Sequence, residues 1–592
     1  MDEPSARSLP ITVKRSIKSH RCKSCKQRHI KCDEQTPSCG PCSKRGVRCP
    51  GLARPLRWLQ KHQFIIITDP SQSSAPQEFA RAPPALLEEK RESSNDKRTL
   101  HQGTVGCWDV ANFTSGLLCT SPSFPFNTQE SILLDYYFTT ICPLNSCFDS
   151  YCNPWRFYVG AIMFSHPVIF QCVMSMSAAH LFQGRTDMLH VALNYRKQAV
   201  AFLTSQMASE APLETKLMLL LSSILLGMTS SWHIPSLTDL TYLSTARILF
   251  KECAVVNWRE EPAKAGGVEF TFIVGIMAYW EAVVAPLFDQ GPEELNYLLR
   301  FCDEQDERMI YPNTWSGISS RIFVYMAQAG ALSRQKLFAN KNFEYTTNPS
   351  AQREILSGLY QAAEELEHRL LQFQPPDQSC IKDPGDELTP LNHIFRLAQT
   401  YRLSALLQIY LSYPDLIVKN RKPTTPTPVV SPQRSHEQSR DIIITSAISI
   451  LNIIATIPEG SRVNAFLTLP LLVAGSALQH SRGEKNKHDP NLGPASASSS
   501  VGSTIESELK ILYTDEYMIH HWRSFVRKRI EEIQNYLALE AITRASQILG
   551  FVWQKSDSDS GNFDLIAQPS ESLCMVHWME VMKKEKLESI FG

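Results

Sequence analysis

The sequence predicts a mainly α protein: a small, cysteine-rich and basic N-terminal module tethered to a large all-α body. Three observations point there. Six of the 16 cysteines fall within residues 22–49. From about residue 127 onward, apolar residues recur at helical spacing and strand-like alternation is rare. Between these regions, residues 52–126 are rich in Pro, Ser, Gln and Asn and show no sustained heptad repeat, as expected of a flexible linker. At 592 residues the chain has room for roughly three or four domains.

Residues 1–19 form a basic tail with no apolar stretch of the kind that heads a secretory signal. A reducing compartment is therefore expected, and there clustered cysteines serve as metal ligands more often than as disulfides. The overall charge conceals an asymmetry. The 59 Lys and Arg balance 59 Asp and Glu, yet residues 1–61 hold 15 of the bases and four of the acids, a net of +11. The remainder of the chain carries 44 bases and 55 acids, a net of −11.

Residues 20–51 contain the metal-ligating pattern. The spacing Cys22-x2-Cys25-x6-Cys32-x6-Cys39-x2-Cys42-x6-Cys49 is one C-x2-C-x6-C unit written twice. A structural zinc takes four ligands in a tetrahedron. Two zinc ions need eight ligand positions, so six cysteines suffice when two thiolates bridge both metals. By the internal symmetry the bridging pair occupies equivalent places in the two halves, here assigned to Cys22 and Cys39. The alternatives are a single zinc with two spare thiols, a redox pair in one C-x2-C, or an oxidised framework. The first wastes the repeat, and no βαβ pattern surrounds either pair to support the second.

Two Zn²⁺ with six thiolates carry −2, leaving the head near +9. Lys26, Arg28, His29 and Lys31 crowd the short helix expected before Cys32. A compact basic knob of this kind suits the major groove of double-stranded DNA, where some side chains donate to guanine O6 and N7 while neighbours grip phosphates.

The body is expected to span 127–592. Asn127-x-x-Glu130 reads as a capping-box start, with Ile132, Leu133, Tyr136, Tyr137 and Ile141 following at helical spacing until Pro143 stops the run. Further helical runs are read at 168–181, 213–228, 237–250, 355–373, 391–411, 441–457 and 525–548. Segments near 421–438 and 489–503, rich in Pro, Thr and Ser, read as disordered insertions. The most apolar runs, 217–228 and 442–457, fall short of the roughly 18 residues of a membrane span and are expected to be buried core helices, with no membrane partner.

With the basic run before Cys32, Asp33 after it and Pro37 in the inter-half loop, residues 22–49 resemble the binuclear zinc cluster of fungal transcription factors. The resemblance implies two shared zinc ions with the first and fourth cysteines bridging, and recognition of a CGG-like triplet. It also implies phosphate contacts from Lys26 and Lys31, with Arg28 and His29 nearest the base edges. His29 stands where Lys is commoner. An imidazole makes one hydrogen bond at each nitrogen, whereas an ammonium has three donors. Glu34 stands where Gly is frequent.

A second set of motifs comprises Leu133-Leu-Asp-Tyr-Tyr-Phe-Thr-Thr-Ile-Cys142-Pro143, Phe148-Asp-Ser, Asn153-Pro-Trp-Arg156 and Met176-Ser-Ala-Ala-His180-Leu181. It continues at Leu467-Thr-Leu-Pro-Leu-Leu-Val-Ala-Gly475 and residues 578–592. These resemble the fungal-specific transcription factor domain of the second class, a helical regulatory domain. Together the resemblances imply a nuclear, zinc-dependent, sequence-specific regulator of RNA polymerase II transcription, acting on a metabolic or secondary-metabolite gene set. Its implied partners are DNA and the transcription machinery or co-regulators. A homodimer, where one forms, would use the helical body. The competing reading is an α-helical ligand- or redox-sensing adaptor whose zinc module docks proteins. The basic head argues against it, since protein docking needs no basic helix.

No phosphate-loop, dinucleotide, nucleophile-elbow or zincin signature occurs, so no enzyme is expected. His180 reads as a satisfied core histidine, and Cys142, Cys147 and Cys152 as packing or loop residues. Asp557-Ser-Asp559-Ser-Gly561 reads as a turn, because Gln568 and Pro569 fill the place of a calcium loop's closing Glu. The run Arg527-Lys528-Arg529 reads as a solvated face, leaving the run from Lys14 to Lys18 as the better nuclear-import candidate.

Overall fold

The computed structural model of the chain describes residues 40–45, 128–182, 185–207, 212–234, 239–260, 268–302, 310–343, 349–419, 432–480, 502–559 and 575–591. The chain divides into two units, residues 1–115 and 116–592. In the first, the described segment holds one short helix, Gly40–Ser43. The second is built of helices. Among the described residues β pairing is limited to the isolated bridges Ile310–Ile381 and Asn313–Gly317.

The helices of the second unit begin with α1 (Thr128–Tyr136), α2 (Pro167–Leu181), α3 (Met188–Gln206), α4 (Leu213–Met228), α5 (Thr241–Glu260) and α6 (Val268–Val284). They continue with α7 (Ser320–Phe343), α8 (Pro349–Gln372), α9 (Leu391–Ser412), α10 (Pro432–Ala455) and α11 (Thr468–Ser476). The last are α12 (Gly502–Leu537), α13 (Glu540–Asp559) and α14 (Trp578–Lys584). Helix α2 packs on α3, α4 on α5, and α7 on α6, α8 and α9. Helix α9 also packs on α10 and α11, and α11 on α13.

Helix α4 shows how sequence becomes core. Every residue from Met218 to Met228 is buried, as expected of a helix apolar on all sides. Its two central serines cost little, because Ser222 and Ser223 donate to the carbonyls of Met218 and Leu219 at 2.7 and 2.8 Å. Gly227 is required by packing, since a Cβ there would collide with the Trp280 ring. Among the described residues no helix is long and apolar enough to cross a membrane.

An aromatic cluster joins distant segments at the centre. Trp315 lies 5.0 Å from Tyr279, 5.6 Å from Phe466 and 6.1 Å from Trp155, ring centre to ring centre. Tyr401 on α9 donates to the Phe466 carbonyl at 2.7 Å, and Trp155 Nε1 to the Asn145 carbonyl at 2.9 Å. The C-terminal segment is seated by Trp578, whose Nε1 donates to Gln408 Oε1 of α9 at 2.9 Å.

Several expectations need correction. The run at 525–548 is two helices, because the chain turns at Ala538, a non-glycine residue at φ +50°. Pro143 does not stop the first run. The chain passes from α1 through a π turn, Tyr137–Ile141, into the short helix Cys142–Leu144, where Pro143 sits in the first turn and needs no intrahelical donor. The insertion read at 421–438 ends earlier, since α10 begins at Pro432, again with proline at a helix start. Helix α12 begins at Gly502, inside the segment read as 489–503. The rest of both insertions lies outside the described residues.

The helix read at 237–250 runs Thr241–Glu260, and α3, α6 and α7 were not read from the sequence. Asp557 is in helix α13 and not in a turn, its carboxylate accepting from Arg523 at 2.8 and 3.1 Å. Arg529, read as solvated, is 6% exposed, and its guanidinium donates to the Ile457 carbonyl at 3.2 Å.

Candidate metal centre and nucleic-acid interface

Of the ten residues singled out in the N-terminal module, the described segment contains Cys42. Cys22, Cys25, Cys32, Cys39 and Cys49, with Lys26, Arg28, His29 and Lys31, lie outside the described residues. Around Cys42 the local folding is legible. Pro41 occupies the first turn of Gly40–Ser43, where its missing N–H costs nothing. The Arg45 N–H then donates to the Cys42 carbonyl at 3.2 Å and closes the turn.

This turn buries Cys42 to 5% exposure while leaving Ser43, Lys44 and Arg45 exposed. The side chains flanking the cysteine are Pro41, half-buried, and the exposed Ser43, Lys44 and Arg45. An inward thiol on a polar, basic turn fits a structural metal centre, with the donor set of six thiolates matching two tetrahedral ions. Bound zinc would supply a cross-link that holds so small a module folded.

In the second unit His180, Cys142 and Cys147 are buried in the core, and Cys152 is half-buried. His180 accepts from the Tyr136 hydroxyl at its Nδ1 and donates from Nε2 to the Leu537 carbonyl, both at 2.8 Å. Burial lowers its pKa, with the Leu537 hydrogen bond opposing. Burial pushes the Cys142 thiol up to about 12 and that of Cys147 higher still, so neither is a reactive thiolate.

Sequence reading passed over two clusters. Ser175 Oγ lies 2.9 Å from His233 Nε2, as in a nucleophile–base pair, but Ser175 also meets the Ala192 carbonyl and His233 Nδ1 donates to the Thr229 carbonyl. Burial, with the Arg196 charge adding, takes His233 down to about 3, too weak a base for the task. No short motif announces this pair, whose members are 58 positions apart.

The other cluster joins two of the motif segments read above. Arg156 grips Asp149 through Nε and Nη2, both at 2.6 Å. Arg462 donates to Asp386 at 2.9 Å, and Asp386 accepts from the Asp149 backbone N–H at 2.8 Å. Burial raises the Asp149 pKa, but hydrogen bonds from Arg156 and Asn153 and the nearby Arg462 charge outweigh it and hold the carboxyl below its usual range. Among the described residues no group of three or more His, Cys, Asp or Glu is placed to hold a metal ion.

Two family models match the chain. The fungal Zn(2)-Cys(6) binuclear cluster domain covers residues 20–59, and the fungal specific transcription factor domain covers residues 132–592. The cluster domain implies two bound zinc ions. The chain matches no curated protein and no solved structure. The chain belongs to the fungal specific transcription factor domain family, as a DNA-binding transcription regulator with a Zn(2)-Cys(6) cluster.

Proposed function

We infer that the protein is a nuclear, zinc-dependent, sequence-specific regulator of RNA polymerase II transcription that reads CGG-like triplets in the major groove. The observation that carries this reading is the doubled C-x2-C-x6-C spacing inside the cluster-domain match at 20–59. In this reading Cys22 and Cys39 bridge the two zinc ions, and Cys25, Cys32, Cys42 and Cys49 complete the tetrahedra. Lys26 and Lys31 hold phosphates while Arg28 and His29 meet base edges.

The domain boundaries follow the same logic: a basic tail at 1–19, the cluster at 20–51, a tether at 52–126 and the helical regulatory domain from 127. Dimerisation, in this reading, uses the helical domain, and the target genes form a metabolic or secondary-metabolite set. The test is in-vitro site selection with the full chain. Enrichment of CGG-like triplets supports the reading, paired triplets at fixed spacing support the dimer, and recovery of random sequence contradicts sequence-specific recognition.

A further inference from the structure

Two voids lie side by side in the helical unit, each of about 20 Å³, and they share Asn145, Trp232 and Trp315 as walls. Each has room for about one water molecule. Their lining is aromatic: Trp155, Trp232, Tyr279, Trp315 and Phe466 contribute rings. Yet the indole N–H groups of Trp232 and Trp315 are buried and donate to no acceptor among the described residues. A buried donor without a partner is costly, so an acceptor placed here, a water or a ligand oxygen, is stabilised.

We propose that the two voids are the closed form of one binding site for an uncharged, planar, mostly apolar molecule carrying one or two acceptor oxygens. The two indole donors set the polarity, since they call for acceptors. Neutrality follows from the walls, which contain no Asp, Glu, Lys or Arg, so a charged ligand would be desolvated without a partner. His180, the one titratable imidazole in the lining, has both ring nitrogens engaged.

The walls also show where the site opens. In the shared wall the Asn145 backbone is held, its carbonyl accepting from Trp155 Nε1, while its side chain makes a long contact, Nδ2 to Met176 Sδ at 3.7 Å. Leu537 and Leu539 form part of one void and flank Ala538, the left-handed elbow between α12 and α13. A ligand that parts these walls merges the voids and resets the elbow, so occupancy changes how the two C-terminal helices meet. This deepens the regulatory reading of the helical domain and rests on it.

The experiment titrates the zinc-loaded full chain by calorimetry with acetophenone, with its apolar isostere α-methylstyrene, and with benzoate. Saturable binding of acetophenone at one site per chain, with none of benzoate, is expected. Trp232→Phe keeps a ring but removes the donor, and weakens acetophenone about five- to tenfold while leaving α-methylstyrene unchanged. Ala465→Leu fills one void and abolishes both. Failure of acetophenone to saturate, or binding that neither substitution alters, overturns the site and leaves the voids to water. Duplex-DNA binding is measured on the same preparations. Its absence overturns the regulator reading itself, whereas its presence without acetophenone binding overturns the pocket alone.

Discussion

His180 Nε2 donates to the Leu537 carbonyl at 2.8 Å across 357 positions of chain. The acceptor is one of the carbonyls that a helix end leaves without an intrahelical partner. Because the Tyr136 hydroxyl occupies Nδ1, the imidazole is held neutral in one tautomer, and it ties α1 and α2 to the end of α12. Replacing His180 with Ala orphans both groups, and the expected loss is about 2–3 kcal/mol in urea unfolding. An unchanged midpoint would show that the contact carries no stability.

Acid should destabilise the helical unit well before its carboxylates titrate. Burial, with the Arg196 charge adding, takes His233 down to about 3; burial, with Lys336 adding, takes His577 to about 4. The unfolded chain binds these protons near pH 6.5, so between 6.5 and the folded values it holds more protons than the native state. Their contribution is therefore complete above about pH 6.5, lost as the pH falls, and level below about 3. Between pH 7 and pH 5 the expected loss is roughly 2 kcal/mol per histidine. Urea unfolding at the two pH values measures it, and His577→Gln should flatten the slope.

The Asp149 carboxylate anchors two arginines, so Asp149→Asn should cost about 1.5–3 kcal/mol, read as a lowered thermal midpoint. Far-ultraviolet circular dichroism should stay helical, because the cluster joins segments without forming any helix.

Ala538→Gly should act the other way. A non-glycine residue in the left-handed region costs roughly 1–2 kcal/mol, and glycine removes that penalty at the elbow while losing more entropy on folding. A net gain of up to about 1 kcal/mol is expected in thermal unfolding.

This elbow also shows where sequence reading stops. Nothing in Leu537-Ala538-Leu539 resembles a helix stop, since no Gly or Pro is present. The break is imposed from outside, by His180 and by packing of α13 on α11. The stretch at 213–228 was legible to the residue because the run 217–228 is free of charge and apolar but for Ser222 and Ser223. Helix α6 was not, because Val, Phe, Thr and Ile through 268–284 are as common in strands and its burial on all sides erases periodicity. The cluster family was legible because metal geometry constrains cysteine spacing directly. The Ser175–His233 and Asp149–Asp386 contacts were not, since tertiary packing alone brings their members together.

In the DNA-binding head the expected effects separate by role. Lys31→Ala should weaken binding on all sequences about equally and shallow the salt dependence, as loss of a phosphate contact does. His29→Lys should instead change which triplet is preferred, by roughly 1–3 kcal/mol between sites. Identical site preferences before and after that change would remove His29 from base reading.

Six cysteines are expected to hold two zinc ions in a module that binds DNA. Metal analysis of the full chain, paired with duplex-DNA titration before and after a strong chelator, tests it most directly. Two zinc ions per chain are expected, with DNA binding lost on chelation and the helical spectrum of the larger unit retained. One zinc ion per chain, or DNA binding that survives zinc removal, would contradict it.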